Sequence, residues 1–160
     1  MLYPLSYEGG DLRRWGGRTA SIVAAGRAYD GSMGGAARIL VVDDDPVIVD
    51  LLRVNFEIEG YEVLTAADGR SGLERARAER PDLVVLDVMM PGLDGLEAAR
   101  LIRAEPSVTA PVLLLSAKAQ ATDVAAGLEV ADDYVTKPFD PLDLLERAAN
   151  LIARRRAGRV

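Results

Sequence analysis

Five short runs that read as strands, three of them largely aliphatic, each followed by a stretch with helical periodicity, constrain this chain more than any other feature of its sequence. The runs fall at 38–42, 61–65, 83–86, 111–115 and 132–136. The third, Leu83-Val84-Val85-Leu86, lies between Pro81 and the Pro91-Gly92 turn and carries no polar residue. Continuous apolarity of this kind suits strands buried on both faces of a parallel sheet. After the first run, Ile48, Leu51, Leu52 and Phe56 recur at three- and four-residue spacing, which predicts a helix over 47–59. Asp45 is placed as its N-cap, Pro46 as its first helical residue and Gly60 as its terminator. Further helices are predicted from Asp68 or Ser71 to about residue 80, from an Asp94 cap to about 104, over 119–130 and over 141–155. Five strands alternating with five helices argue for an α/β fold: a doubly wound, five-stranded parallel sheet wrapped on both faces.

Composition narrows the chemistry. With no cysteine and no histidine, the chain has no disulfides, thiolate metal sites, histidine-based triads or histidine-bound zinc. Catalysis would have to run on carboxylates, hydroxyls and lysine. The net charge of -6 disfavours nucleic acid as a direct partner. The basic tail Arg154-Arg155-Arg156 with Arg159 reads as a solvated helix end. No apolar run is long enough to span a membrane and the start lacks a clear signal-peptide pattern, so the expected location is cytoplasmic.

Residues 1–35 differ from the rest. Glycines at 9, 10, 16, 17, 31, 34 and 35 interrupt them and apolar periodicity is weak, so they read as a disordered extension. A marginal helix around 19–29, an arm binding a partner through Leu12, Trp15 and Ile22, or an upstream extension of the reading frame ahead of Met33 are the alternatives. A single domain is expected over 36–156, with a short tail at 157–160.

Right-handed crossovers bring the carboxyl ends of parallel strands to one edge of the sheet, where ligands collect. Asp43, Asp44, Asp87, Ser116 and Lys137 each follow an apolar run directly. Taken singly, Asp87 reads equally as a turn cap, Ser116 as a turn former and Lys137 as a surface lysine. Taken together they form a constellation. Three carboxylates in one place repel each other, and a divalent cation relieves that; oxygen-only ligands favour Mg²⁺, with Mn²⁺ as the alternative. Lys137 and Ser116 suit the oxygens of a phosphoryl group on Asp87, which makes Asp87 a candidate carboxylate nucleophile.

The segments Ile39-Leu40-Val41-Val42-Asp43-Asp44-Asp45-Pro46, Leu86-Asp87-Val88-Met89-Met90-Pro91-Gly92-Leu93-Asp94-Gly95, Leu115-Ser116-Ala117 and Tyr134-Val135-Thr136-Lys137-Pro138-Phe139 together resemble the receiver domain of bacterial two-component response regulators. The resemblance runs from about residue 36 to 155. It implies a flavodoxin-like sheet of order 2-1-3-4-5, with Asp87 taking a phosphoryl group from the histidine of a sensor kinase or a phosphotransfer protein. It further implies that Asp43, Asp44, Asp87 and the backbone carbonyl of Met89 bind Mg²⁺. Ser116 resembles the switch hydroxyl that turns toward the phosphate, Lys137 the lysine that pairs with it, and Tyr134 the aromatic that swings inward on activation. A cis bond before Pro138 and slow hydrolysis of the aspartyl phosphate, shielded by Met89 and Lys118, are also expected.

Two departures from the family stand out. Gly127-Leu128-Glu129-Val130-Ala131-Asp132-Asp133-Tyr134 is one residue short and lacks the usual glycine before Ala131, which removes a left-handed cap from the fourth helix. This alters the face on which related regulators form phosphorylation-dependent homodimers, where Asp133 and Arg147 resemble an intersubunit ion pair. No output domain follows within the 160 residues, which predicts a stand-alone receiver signalling to a downstream protein by contact or by passing phosphate onward. Two rivals remain at this point. An aspartate-nucleophile phosphatase would generally carry a second carboxylate two residues after the nucleophile, where this chain has Met89. A phosphorylation-independent binding module with the same fold would use none of the chemistry.

Overall fold

The three inner strands of the sheet bury both of their faces because side chains alternate between two separate cores. The computed structural model describes residues 35–158. In chain order they form β1 (Arg38–Val42), α1 (Pro46–Ile58), β2 (Glu62–Ala66), α2 (Gly69–Glu79), β3 (Leu83–Asp87), α3 (Gly95–Ala104), β4 (Val112–Ser116), α4 (Ala121–Val130), β5 (Asp133–Thr136) and α5 (Pro141–Arg156). The five strands are parallel in the order β2-β1-β3-β4-β5. Leu40, Val42, Val84, Leu86, Val112 and Leu114 point to one side, against α2, α3 and α4. Their neighbours Ile39, Val41, Leu83, Val85, Leu113 and Leu115 point to the other, where α1 brings Leu52 and Phe56 and α5 brings Leu144, Leu145 and Ile152. This period of two is the strand's own geometry. It turns five apolar runs into the middle layer of a three-layer sandwich.

Four of the five helices begin on an aspartate. The carboxylates of Asp45, Asp68, Asp94 and Asp140 accept from backbone N–H groups in the first turns of α1, α2, α3 and α5. Asp68, not Ser71, is therefore the cap of α2. The fourth helix differs. It starts at Ala121, two residues later than its sequence pattern predicts, and Gln120 makes no capping bond. At its other end Val130 passes straight into Ala131 in extended conformation, with no left-handed residue, as expected from the missing glycine.

The arginines at the end of α5 are not simply solvated. Arg155 donates to Asp82 Oδ1 at 2.8 Å and to Thr109 Oγ1 at 2.6 Å, and Arg156 lies 3.5 Å from Asp82. The same aspartate accepts the backbone N–H of Arg38 at 2.8 Å. The tail of α5 is thereby fastened to the amino edge of β1 and β3, which corrects the reading of this cluster as a free helix end. Arg147 likewise pairs within the chain, with Asp133 and Asp143. Arg159 and the readings of residues 1–34 as a disordered extension, a helix near 19–29 or an arm through Leu12, Trp15 and Ile22 lie outside the described residues. Among the described residues no helix is long and apolar enough to cross a membrane.

Asp82→Ala is expected to lower stability by about 1–3 kcal/mol, because it strands the Arg38 N–H and frees Arg155 at once. Urea unfolding followed by circular dichroism measures this.

Candidate functional site

Hydrogen bonds continue beyond the strands at their carboxyl ends and lock the exit loops together. Asp43 N–H donates to Ala66, Val88 N–H to Leu115 and Lys137 N–H to Ser116. Asp87 and Ser116 are the last residues of β3 and β4, and their neighbours in register are Leu115 and Thr136. The five residues singled out from sequence thus end or follow three inner strands and one edge strand, all on the same side of the sheet.

Asp43, Asp44 and Asp87 each bring one carboxylate oxygen to within 4.8 Å of the others. Asp43 and Asp87 are buried, whereas Asp44 is exposed. The Lys137 ammonium sits between the buried pair, donating to Asp43 Oδ2 at 3.0 Å and lying 3.3 Å from Asp87 Oδ1. Asp43 Oδ1 also accepts from the Asp45 N–H at 2.9 Å. The peptide bond between Lys137 and Pro138 is cis. A cleft of about 240 Å³ opens beside the carboxylates, bordered by Asp43, Asp44, Pro46, Val49 and Thr65.

Burial and neighbouring charge act together on Asp43, Asp87 and Lys137. Burial pushes the Asp87 carboxyl above its ordinary value and the neighbouring Asp43 charge adds to this, while Lys137 and the Met89 N–H oppose it. Asp43 is raised by burial too, against its bonds from Asp45 and Lys137. Burial alone would lower Lys137, but its bond to Asp43 and the two negative charges outweigh that and hold it raised. An ammonium, two desolvated carboxylates and one exposed carboxylate leave a surplus of negative charge at a single oxygen-lined point. Such a donor set fits a hard divalent cation.

Ser116 and Tyr134 meet at one residue. Ser116 Oγ accepts the Lys118 N–H at 3.0 Å, and the Tyr134 hydroxyl donates to the Lys118 carbonyl at 2.7 Å. Tyr134 is 8% exposed and lies in the core under α4. Met89, by contrast, has 54% of its surface exposed at the mouth of the site. Sequence reasoning missed Gly95. A side chain there would collide with the Asp87 carbonyl and stand 2.5 Å from Val88 Cα, so only glycine lets the start of α3 close on the Asp87 backbone. The signal available was a glycine directly after a helix cap, where one adds nothing to the helix itself.

The response regulator receiver domain family matches residues 39–149. The chain belongs to that family. The receiver is 48% identical over 118 residues to the alkaline phosphatase synthesis transcriptional regulatory protein PhoP of Bacillus subtilis, covering 73% of this chain and 49% of PhoP. It is 48% identical over 123 residues to the transcriptional regulatory protein CseB of Streptomyces coelicolor, covering 76% of this chain and 52% of CseB. The chain therefore spans about half the length of the curated relatives it matches. Among solved structures, the chemotaxis protein CheY4 of Vibrio cholerae superimposes with a TM-score of 0.68 at 33% identity, over 72% of this chain and 98% of that one. Receiver domains of this family work in two-component systems beside histidine kinases.

Asp87→Asn is expected to stabilise the receiver in EDTA at neutral pH, since it removes a buried charge facing Asp43. Because the folded value of Asp87 is raised, its ionisation opposes folding above that value, and the penalty fades as pH falls toward the ordinary carboxylate range. The difference in urea midpoint between the variant and the natural chain should therefore shrink on acidification.

Proposed function

We propose that this receiver takes a phosphoryl group from the histidine of a sensor kinase or a phosphotransfer protein onto Asp87. The bond from phosphorus to the histidine nitrogen breaks as one to an Asp87 oxygen forms. The observation that supports this best is the convergence of Asp43, Asp44, Asp87 and Lys137 in a single contact set, with the nucleophile at the end of a central strand. Asp87 offers the attacking oxygen. Its backbone is held by α3 at Gly95, so the carboxylate cannot retreat from an incoming donor. Lys137 already lies against Asp87 and would stay to pair with a phosphoryl oxygen, while Ser116 would leave the Lys118 N–H to reach another. Asp43, Asp44 and Asp87 with the Met89 carbonyl would hold Mg²⁺, or Mn²⁺ in its place. When bound, that ion supplies positive charge to the phosphoryl oxygens.

In this reading the receiver acts in the cytoplasm. It signals to a downstream protein through the face of α4, β5 and α5, without touching nucleic acid itself. Added charge at Asp87 biases that face between two states. Asp133 and Arg147 are bonded to each other within the chain, so a phosphorylation-dependent homodimer through them would have to exchange those partners across the interface. Residues 36–156 are the functional unit of this proposal.

The experiment is intact mass after incubation with Mg²⁺ and acetyl phosphate, for the natural chain and for Asp87→Asn. One added phosphate that is absent from the variant is the expected result, and with Met89 and Lys118 at the mouth it should persist for minutes in the isolated protein. No adduct, or equal labelling of both, would leave a phosphorylation-independent binding module of the same fold as the better account. Mg²⁺ at about a hundred times its Kd should stabilise the natural chain by about 2.7 kcal/mol, and Asp43→Asn should abolish most of that gain. Thermal unfolding with and without the ion measures it.

A further inference from the structure

Among the described helices α4 is the least secured. Gly127 and Val130 are its only buried residues, its start has no side-chain cap and its end has no left-handed turn. Its place over the sheet depends on what fills the space beneath it. That filling is Tyr134: a methyl group at Gly127 would overlap the ring at Cδ2, lie 2.6 Å from Cε2 and lie 3.3 Å from the Leu114 side chain. We infer that Gly127 is a positioning residue, whose missing side chain admits the Tyr134 ring under α4, so that the inward seat of this tyrosine is built into the unphosphorylated chain.

The obstacle to a larger residue at 127 is a side chain and not backbone. Tyr134 can rotate about its own torsions and leave, whereas the strand behind it cannot move without breaking its pairing with β4. Residue 127 and the ring therefore compete for one volume. With glycine the ring lies inside and its hydroxyl reaches the Lys118 carbonyl; with alanine the ring is expelled and that bond is lost. Lys118 also donates its N–H to Ser116, so the seat is tied to the end of β4 through the two backbone groups of a single residue. The seat stands by itself, while its bearing on signalling rests on the phosphoacceptor role proposed for Asp87.

The test is nitration of the full chain by tetranitromethane, with the rate at Tyr134 read by peptide mass spectrometry against N-acetyltyrosinamide as the exposed standard. Without phosphodonor, Tyr134 should react at least about tenfold more slowly than the standard, and Gly127→Ala should remove most of that protection. A natural chain whose Tyr134 reacts like the standard overturns the inference, as does a Gly127→Ala variant that stays protected. Protection that arises only after acetyl phosphate also overturns it, while leaving Asp87 as the acceptor intact. Urea midpoints give a second measure that survives poor folding of one variant. Alanine favours a helix interior over glycine, so in a Tyr134→Ala background Gly127→Ala should raise the midpoint. With the ring present, the shift should be smaller or reversed. Equal shifts in both backgrounds would remove the competition on which the inference depends.

Discussion

The Lys137 ammonium, held between two buried carboxylates, is the interaction on which the carboxyl edge of this sheet depends. It joins residues 94 positions apart and ties the ends of β1, β3 and β5 across the intervening β4. Without it, Asp43 and Asp87 would face each other desolvated and unpaired, an arrangement that proteins avoid by protonation or by unfolding locally. One cation does not neutralise three carboxylates, however. The edge retains excess negative charge, a donor set that suits a hard divalent cation.

The fold was legible in the sequence because its two periods are separate and clean. Runs such as Leu83–Leu86 are apolar at every position, and the helices between them are apolar at every third or fourth. The carboxyl edge was legible for a related reason: Asp43, Asp87 and Ser116 interrupt or follow apolar runs where the strands end, and Lys137 follows the last residue of β5. Strand ends were less exact, since Asp87 and Ser116 themselves pair as the last residues of β3 and β4. Polarity marks the end of the apolar run, which comes one residue before the limit of burial and of hydrogen bonding.

Other features left no local mark. Arg155 sits in what looks like a solvent-exposed basic tail, yet its partner Asp82 is 73 residues away. Gly95 and Gly127 read as weak points in helices, and only the tertiary approach of the Asp87 backbone and the Tyr134 ring gives them a reason. The one-residue shortening before Ala131 could be seen in sequence, but its effect is spatial: it leaves α4 resting on a ring in place of a cap.

Lys118 gives this arrangement an evolutionary consequence. Both of its contacts with Ser116 and Tyr134 are made by main-chain atoms, and its side chain is exposed. Any residue except proline supplies the same N–H and carbonyl. A substitution there other than proline therefore leaves the Ser116–Tyr134 linkage in place. A lineage of such proteins can redraw the chemistry offered to partners there, generation after generation, while the internal wiring passes down unaltered.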